Sequence, residues 1–217
     1  MKKILFCVAA LTLMVTSCKK KTSDPSITVT VSYPTIIATG NPYYSINVGD
    51  PLPSISATAY DSFYNEVCTV VTDASTLDNT TPGLYAVSLS AKNKYGFISY
   101  SSVFVAVTNV SDLLNLSGAY QRLATPTRTA YVTKLARGIF MTSNVGGVDT
   151  VSQATSIVPA VFAVTSDTTI DFGSQLTSAG TLTASQESLT LTPGDTTLNY
   201  ALSLSGFGTS LRTFVKQ

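Results

Sequence analysis

The chain has 217 residues, of which 12% are charged; it contains no His and no Trp, and its 13 Lys and Arg stand against 12 Asp and Glu. This near-neutral balance argues against nucleic acid as a partner, and without an imidazole the Ser-His-Asp and Cys-His mechanisms and histidine-based zinc centres drop out. Abundant Ser and Thr among alternating Val, Ile, Leu and Tyr give the profile of a β-rich extracellular protein.

Met1-Lys2-Lys3, an apolar run over residues 4–15, the small residues Thr16 and Ser17, and then Cys18 follow the order of a cleaved leader. A signal peptide is predicted over residues 1–17. The apolar run is about a dozen residues, whereas a permanent bilayer-spanning helix needs roughly 20, so something else must hold the protein. Val15-Thr16-Ser17-Cys18 resembles the bacterial lipobox, with Val15 for the usual Leu, Thr16 and Ser17 for the small pair, and Cys18 for the lipidated residue. The competing reading is an ordinary leader with a chance Cys near its end. Cys7 is a poorer candidate, because no apolar region of useful length precedes it. Acyl chains contribute roughly 0.8 kcal/mol per buried methylene, so two or three anchor stably where one does not.

Residues 18–25, with Lys19-Lys20-Lys21 and Thr22-Ser23-Asp24-Pro25, are expected to form a polar, extended tether. The three lysines would add attraction to an anionic leaflet. Removing the leader takes away Lys2 and Lys3 and leaves 11 basic residues against 12 acidic. Cys68 is then the one thiol besides Cys18, so no intrachain disulfide is expected; within an apolar run it reads as a small buried hydrophobe.

Beyond the tether, residues 27–31 alternate apolar and hydroxyl side chains, as a strand with one wet face does. Tyr33-Pro34-Thr35 should end that pairing, because Pro cannot donate to a ladder. Val48-Gly49-Asp50-Pro51 marks a turn, and Ile55, Ala57 and Ala59 mark another strand. Residues 60–65 read as a connection, residues 67–71 as a strand, residues 80–83 as a turn and residues 84–91 as a strand. Residues 93–97 read as a hairpin leading into the apolar run 103–107. Short strands at regular spacing suggest a sandwich.

Tyr33-Pro34-Thr35-Ile36, Gly49-Asp50-Pro51, Ala57-Thr58-Ala59-Tyr60-Asp61, Pro82-Gly83-Leu84-Tyr85 and Ala91-Lys92-Asn93-Lys94-Tyr95-Gly96-Phe97 together resemble the bacterial Ig-like domains of Bacteroides-type lipoproteins. The pattern departs at Asp61-Ser62-Phe63-Tyr64, where such domains usually place a Gly after the Asp. It departs also after Cys18, where surface-bound members often carry an acidic run, so the membrane face stays open.

Residues 109–115 are linker-like, and a new pattern starts at Leu116-Ser117-Gly118-Ala119-Tyr120. Residues 130–135 and 138–141 alternate as two strands joined at 136–138, and Asn144-Val145-Gly146-Gly147 supplies a loop. Further strands are predicted at 158–164, 168–172, 189–192, 198–204 and 211–215, with no convincing helical period. The predicted organisation is an Ig-like β-sandwich over residues 26–110, followed by an antiparallel sandwich or small barrel over residues 111–217. Leu116-Ser117-Gly118, Val132-Thr133-Lys134, Gly138-Ile139-Phe140 and Thr213-Phe214-Val215-Lys216 resemble the second domain of the same two-domain lipoproteins. The resemblance carries no assigned activity and implies the neighbourhood of outer-membrane glycan-uptake systems.

No catalytic residue, metal site or cofactor is predicted. Glu66 and Glu187 are the only Glu residues, and most Asp residues fall at turns, where Asp usually caps the backbone. Asp167 and Asp171 lack the dense oxygen spacing of a calcium loop, and Gly146-Gly147 precedes no helix or Lys that would make a phosphate loop. A non-enzymatic binding role is expected. Sugars stack on aromatic rings while polar side chains bond their hydroxyls, which nominates Tyr43, Tyr44, Phe63 and Tyr64 as ligand contacts. The expected partners are a membrane, through lipid on Cys18, and either a glycan or an outer-membrane transporter. The alternative is a spacer or protein-interaction module.

Overall fold

A computed structural model describes residues 30–192 and 194–217. The leader, Cys18, the tether, residues 27–29 of the first alternating segment, and Pro193 of the last predicted turn lie outside the described residues.

The first β assembly has seven strands: β1 (Thr35–Ala38), β2 (Tyr43–Ile46), β3 (Ala57–Asp61), β4 (Glu66–Cys68), β5 (Val70–Asp73), β6 (Gly83–Lys92) and β7 (Ile98–Val107). They form a three-stranded sheet, β1-β3-β4, and a four-stranded sheet, β2-β7-β6-β5. All pairings are antiparallel except β2 with β7. The sheets face each other across Val87, Leu89, Val103, Val105 and Val107 on one side and Ile36, Ala38 and Ala57 on the other, as period-2 alternation requires.

Three local expectations change. Thr30 and Val31 lie outside any strand, and the first strand starts directly after the buried Pro34 rather than ending at it. Proline lacks an N–H, so it suits the position before pairing begins. Residues 67–71 are two strands in different sheets, broken at the exposed Thr69. Cys68 faces Ala59 in one sheet and Val70 faces Ala91 in the other, so the chain changes sheets while both side chains stay inward. Tyr43 and Tyr44 are strand residues, because β2 finds the edge of β7.

The second assembly comprises β8 (Gly118–Arg122), β9 (Thr125–Ala136), β10 (Ile139–Thr142), β11 (Ala160–Ser166), β12 (Thr169–Asp171), β13 (Gln175–Thr177), β14 (Gly180–Thr192), β15 (Asp195–Ser203) and β16 (Leu211–Lys216). They form one nine-stranded antiparallel sheet in the order β12-β11-β10-β9-β8-β16-β15-β14-β13. Sequence alternation missed β13 and the first half of β14, where Thr181, Thr183, Ser185 and Ser188 dilute the apolar signal. The concave face of the sheet is filled by rings: Phe140, Phe162, Phe172, Tyr200 and Phe214 stand in consecutive contact at centroid separations of 5.7, 5.3, 4.7 and 5.7 Å. The hydroxyls of the buried Tyr120 and Tyr200 donate to the carbonyls of Leu116 (2.8 Å) and Val145 (3.0 Å). The interior is therefore core and leaves no space for a ligand.

Side chains close the curl where backbone ladders stop. The buried Gln175 donates from Nε2 to the Val161 carbonyl (2.7 Å) and accepts from the Val161 N–H (3.0 Å), as a paired strand would. Between β12 and β14, the Leu189 N–H reaches the Thr168 carbonyl (2.8 Å), and the Phe172 N–H reaches Glu187 Oε1 (2.7 Å). A bulge between Ser185 and Ser188, with Gln186 at φ 55°, places Glu187 at this seam. Burial pushes the Glu187 carboxyl up to about 7, against the opposing Phe172 hydrogen bond and with a smaller upward push from Asp171.

The two assemblies meet over an apolar contact. Leu84, Ala106 and the half-buried Phe104 and Tyr43 lie on the outer face of the four-stranded sheet, against Ile139, Val161 and Ala163 of the nine-stranded one. The run at residues 103–107 is thus apolar on both faces because both are covered. Asp171 Oδ2 accepts the Leu84 N–H at 2.7 Å, and Thr108 Oγ1 donates to the Val164 carbonyl at 2.7 Å. Arg137 donates to the carbonyls of Thr108 and Val110 at 3.0 and 3.2 Å, fixing the connection between the assemblies. Gly173 makes the approach possible: at φ 55°, a Cβ there would lie 2.2 Å from the Leu84 carbonyl oxygen.

Gly173→Ala should therefore cost about 3 kcal/mol or more through strain and overlap, read as a lowered denaturant midpoint. Glu187 gives a pH signature of defined sign. Its folded-state value is raised, so its contribution is complete below about pH 4.5 and lost as pH rises through about 7. Glu187→Gln keeps an acceptor for Phe172 and should stabilise the protein at pH 8 by about 1–2 kcal/mol, a figure reduced for partial solvent screening. It should also flatten the thermal-melting profile between pH 4.5 and 7.

Candidate functional site

The four aromatic residues nominated from sequence do not form one site. Tyr43 stacks on Phe104 at 6.2 Å with an interplanar angle of 11°, in the contact between the assemblies. Tyr44 packs into the sandwich core. Both are half-buried on β2, one in the contact between the assemblies and one in the sandwich core, and neither stands in a loop. Phe63 and Tyr64 occupy the turn between β3 and β4, near the β6–β7 hairpin. Position 104 on β7 is roughly 20 Å or more along the strand from that hairpin, at about 3.4 Å per residue.

That turn is organised by Asp61, which is fully buried. Its Oδ1 accepts from the Ser32 hydroxyl (2.8 Å) and the N–H groups of Phe63 (3.1 Å) and Tyr64 (3.2 Å), while Oδ2 accepts from Asn93 Nδ2 (2.7 Å). Asn93 in turn donates to the Ser32 carbonyl (2.9 Å) and accepts through Oδ1 from the N–H groups of Tyr95 (3.1 Å) and Phe97 (3.0 Å). Burial pushes the Asp61 carboxyl up, but the bonds from Asn93, Ser32, Tyr64 and Phe63 outweigh it and hold the group below its ordinary value. Asp61, which Ser62 follows where the resembled domains usually have a Gly, is thus a hub for two loops.

The best-formed concave surface lies elsewhere. Three linked hollows form a trough along the outer face of the four-stranded sheet and into the corner made with the nine-stranded sheet. The corner hollow, about 440 Å³, runs between Phe104, Met141, Val161 and the Gln175–Ser178 segment. The middle one, about 490 Å³, is lined by Ser88, Tyr100, Ser102, Phe104 and Leu176. The outer one, about 340 Å³, continues past Ser90, Val71 and Ile98. Tyr100 is 70% exposed and Leu176 77% exposed.

Local pairing explains this surface. On β6 and β7 one face carries Val87, Leu89, Val103 and Val105 into the core, so Ser88, Ser90, Tyr100 and Ser102 face outward. Tyr100 lies opposite Ser90, and Ser102 opposite Ser88. Lys92, at the outer end, is the one Asp, Glu, Lys or Arg among the lining residues. An aromatic ring beside uncharged hydroxyls suits a neutral, hydroxyl-bearing, partly apolar ligand. Tyr100 was not among the residues nominated from sequence; its signal was the hydroxyl-rich alternate face of two strands whose other face is apolar.

The remaining reactive groups serve structure. Glu187 and Asp171 accept backbone N–H groups at the seam and at the assembly contact. Burial and the charges of Glu66 and Asp61 push the Cys68 thiol up, away from a reactive thiolate. Arg212 is buried at one end of the second assembly, where its guanidinium donates to the carbonyls of Gly146 (3.0 Å), Ser210 (3.0 Å) and Phe207. Among the described residues, no group of three or more His, Cys, Asp or Glu side chains is placed to hold a metal.

No protein-family model matches the chain, and no curated protein matches it. Solved structures similar to it include the crystal structure of a lipoprotein from Bacteroides thetaiotaomicron, at 22% identity over 85% of this chain and 100% of that one, with a TM-score of 0.36.

The Asp61 hub predicts that Asp61→Ala speeds amide hydrogen exchange at both Phe63 and Phe97, on two separate loops, while the interior of β15 stays protected. Because the folded-state value is lowered, the stabilisation from Asp61 is complete above about pH 4 and is lost as pH falls further. The acid arm of the unfolding profile should shrink in the variant.

Proposed function

We propose that this chain is a lipid-anchored protein of the bacterial cell envelope, held at the outer membrane by acyl chains on Cys18, that binds a neutral glycan segment in the Tyr100 trough. Support for the anchor is the order of basic start, short apolar run, small pair and Cys over residues 1–18. No helix among the described residues is long and apolar enough to cross a membrane. The first assembly is read as the Ig-like domain of Bacteroides-type lipoproteins, on the motif pattern between Tyr33 and Phe97.

The observation that carries the glycan reading is the exposed Tyr100 beside Ser88, Ser90 and Ser102 in an almost uncharged trough. A pyranose presents a C–H face that stacks on an aromatic ring and an equatorial rim of hydroxyls for Ser, Thr and Gln partners. Three hollows in line suit several sugar units more than a single one. The trough retains and presents its ligand, and the reading assigns it no bond-breaking step.

Titration calorimetry with neutral polysaccharides is expected to show binding, and Tyr100→Ala to weaken it about tenfold, the equivalent of roughly 1.4 kcal/mol of lost stacking. Absence of binding across a neutral glycan array, or an unchanged affinity in the Tyr100→Ala variant, would remove the reading. Co-purification of an outer-membrane transporter without any glycan binding would instead favour the spacer or protein-docking role.

A further inference from the structure

The end of the first assembly opposite its contact with the second carries a cluster of rings that the trough does not use. Tyr33 meets Phe97 edge-on at 5.6 Å, Phe63 meets Tyr64 at 4.9 Å, and Tyr64 meets Tyr95 at 4.5 Å. The Lys94 ammonium stands 5.3 and 5.2 Å from the centroids of Tyr64 and Tyr95. Phe63 is 61% exposed, Tyr33 56% and Tyr95 42%. Isolated exposed rings need no explanation, but a contiguous group held in place at one end of a domain marks a contact surface.

The place where the chain joins this surface identifies what it contacts. Ser32 bonds to Asp61 through its hydroxyl and to Asn93 through its carbonyl, and the same Asp61 and Asn93 hold the Phe63-Tyr64 and Tyr95-Phe97 loops. The covalent connection to Cys18 therefore leaves the folded body from within the ring cluster. The 14 residues from 18 to 31 can span no more than roughly 50 Å even when fully extended. A lipid on Cys18 thus brings this end, through which the covalent connection runs, within reach of the bilayer. The chemistry suits that position: Tyr and Phe settle at the headgroup boundary, and Lys keeps its ammonium in water while its stem lies along apolar surface. Glu66, the acidic group beside Lys94, is engaged by the Lys94 N–H.

We infer that Tyr33, Phe63, Tyr64, Tyr95 and Lys94 form a membrane seat, which rests on the lipid-bilayer interface and fixes the orientation of the anchored body. This rests on the lipid anchor at Cys18 but is independent of the glycan reading. Lipidation alone would leave the body free to swing, whereas the seat turns the trough into a feature held at a set angle to the membrane.

The chain has no Trp, so Phe63→Trp installs a single reporter at an exposed position. The full lipidated protein carrying F63W is reconstituted into phosphatidylethanolamine and phosphatidylglycerol vesicles with brominated acyl chains. We expect a blue-shifted emission and a loss of more than about half of its intensity, consistent with a ring about 5–10 Å into the boundary. The same substitution at exposed Tyr131 of the second assembly should stay unquenched. Lys94→Glu in the F63W background should reduce the quenching. Vesicle flotation separates the two layers of the argument. If Cys18→Ala floats as well as the lipidated form, the anchor fails; if the lipidated F63W protein floats but is no more quenched than the Tyr131 control, the seat fails and the anchor stands. A blue shift that needs added outer-membrane proteins and is absent in protein-free vesicles assigns the surface to a protein partner and overturns the seat.

Discussion

The organisation of this molecule depends on one apolar contact, between the outer face of the β2-β7-β6-β5 sheet and the β10–β11 region of the nine-stranded sheet. Burying side chains such as Leu84, Ala106, Ile139, Val161 and Ala163 contributes roughly 1.5–3 kcal/mol for each larger side chain. Such a contact would tolerate sliding if it were purely apolar. Directional bonds pin it: Asp171 to the Leu84 N–H, Thr108 to the Val164 carbonyl, and Arg137 to two carbonyls of the connection. Gly173 lets the backbone approach Leu84 closely beside the Asp171 bond.

The trough follows from that geometry. The four-stranded sheet is wider than the part the second assembly covers, so Tyr100, Ser88, Ser90 and Ser102 remain open while Phe104 is half-covered. The corner is walled by the Gln175–Ser178 segment, and Gln175 itself is held by its two bonds to Val161. One side chain therefore both closes the curled sheet and stiffens a wall of the candidate site. Preorganisation of this kind lowers the ordering cost that a ligand must overcome.

Much of the strand content was legible because alternation is a local property: residues 84–91, 130–135 and 198–204 carry it plainly and become β6, β9 and β15. What failed was what depends on distant partners. Residues 67–71 look like one strand, and only the presence of two sheets divides them. Tyr43-Tyr44-Ser45-Ile46 lacks clean alternation and became a strand because an edge of β7 was available to pair with it. The first half of β14 is rich in Thr and Ser and reads as loop until β15 lies beside it. The candidate site was hidden for the same reason, since Tyr100 and Leu176 are 76 residues apart in the chain and neither carries a motif. The aromatic loop at Phe63 and Tyr64 was visible as an oddity, but the Asp61–Asn93 pair that shapes it was not, because a turn Asp gives no sign of being buried.

The position of the last strand has a consequence for how such a chain matures. β16 lies in the middle of the nine-stranded sheet, between β8 and β15, and its partner β8 is nearly a hundred residues earlier. A polypeptide made from its N-terminus completes all seven strands of the first assembly well before the segment that joins the halves of the second exists. Until β10 and β11 are made, Leu84, Phe104 and Ala106 face solvent as an uncovered greasy panel on an otherwise finished sandwich. Long-range pairing of this kind is slow, and exposed apolar sheet faces invite association. The molecule is thus most vulnerable until β10 and β11 have folded over that panel; β16 arrives later and joins the sheet that carries them to β15.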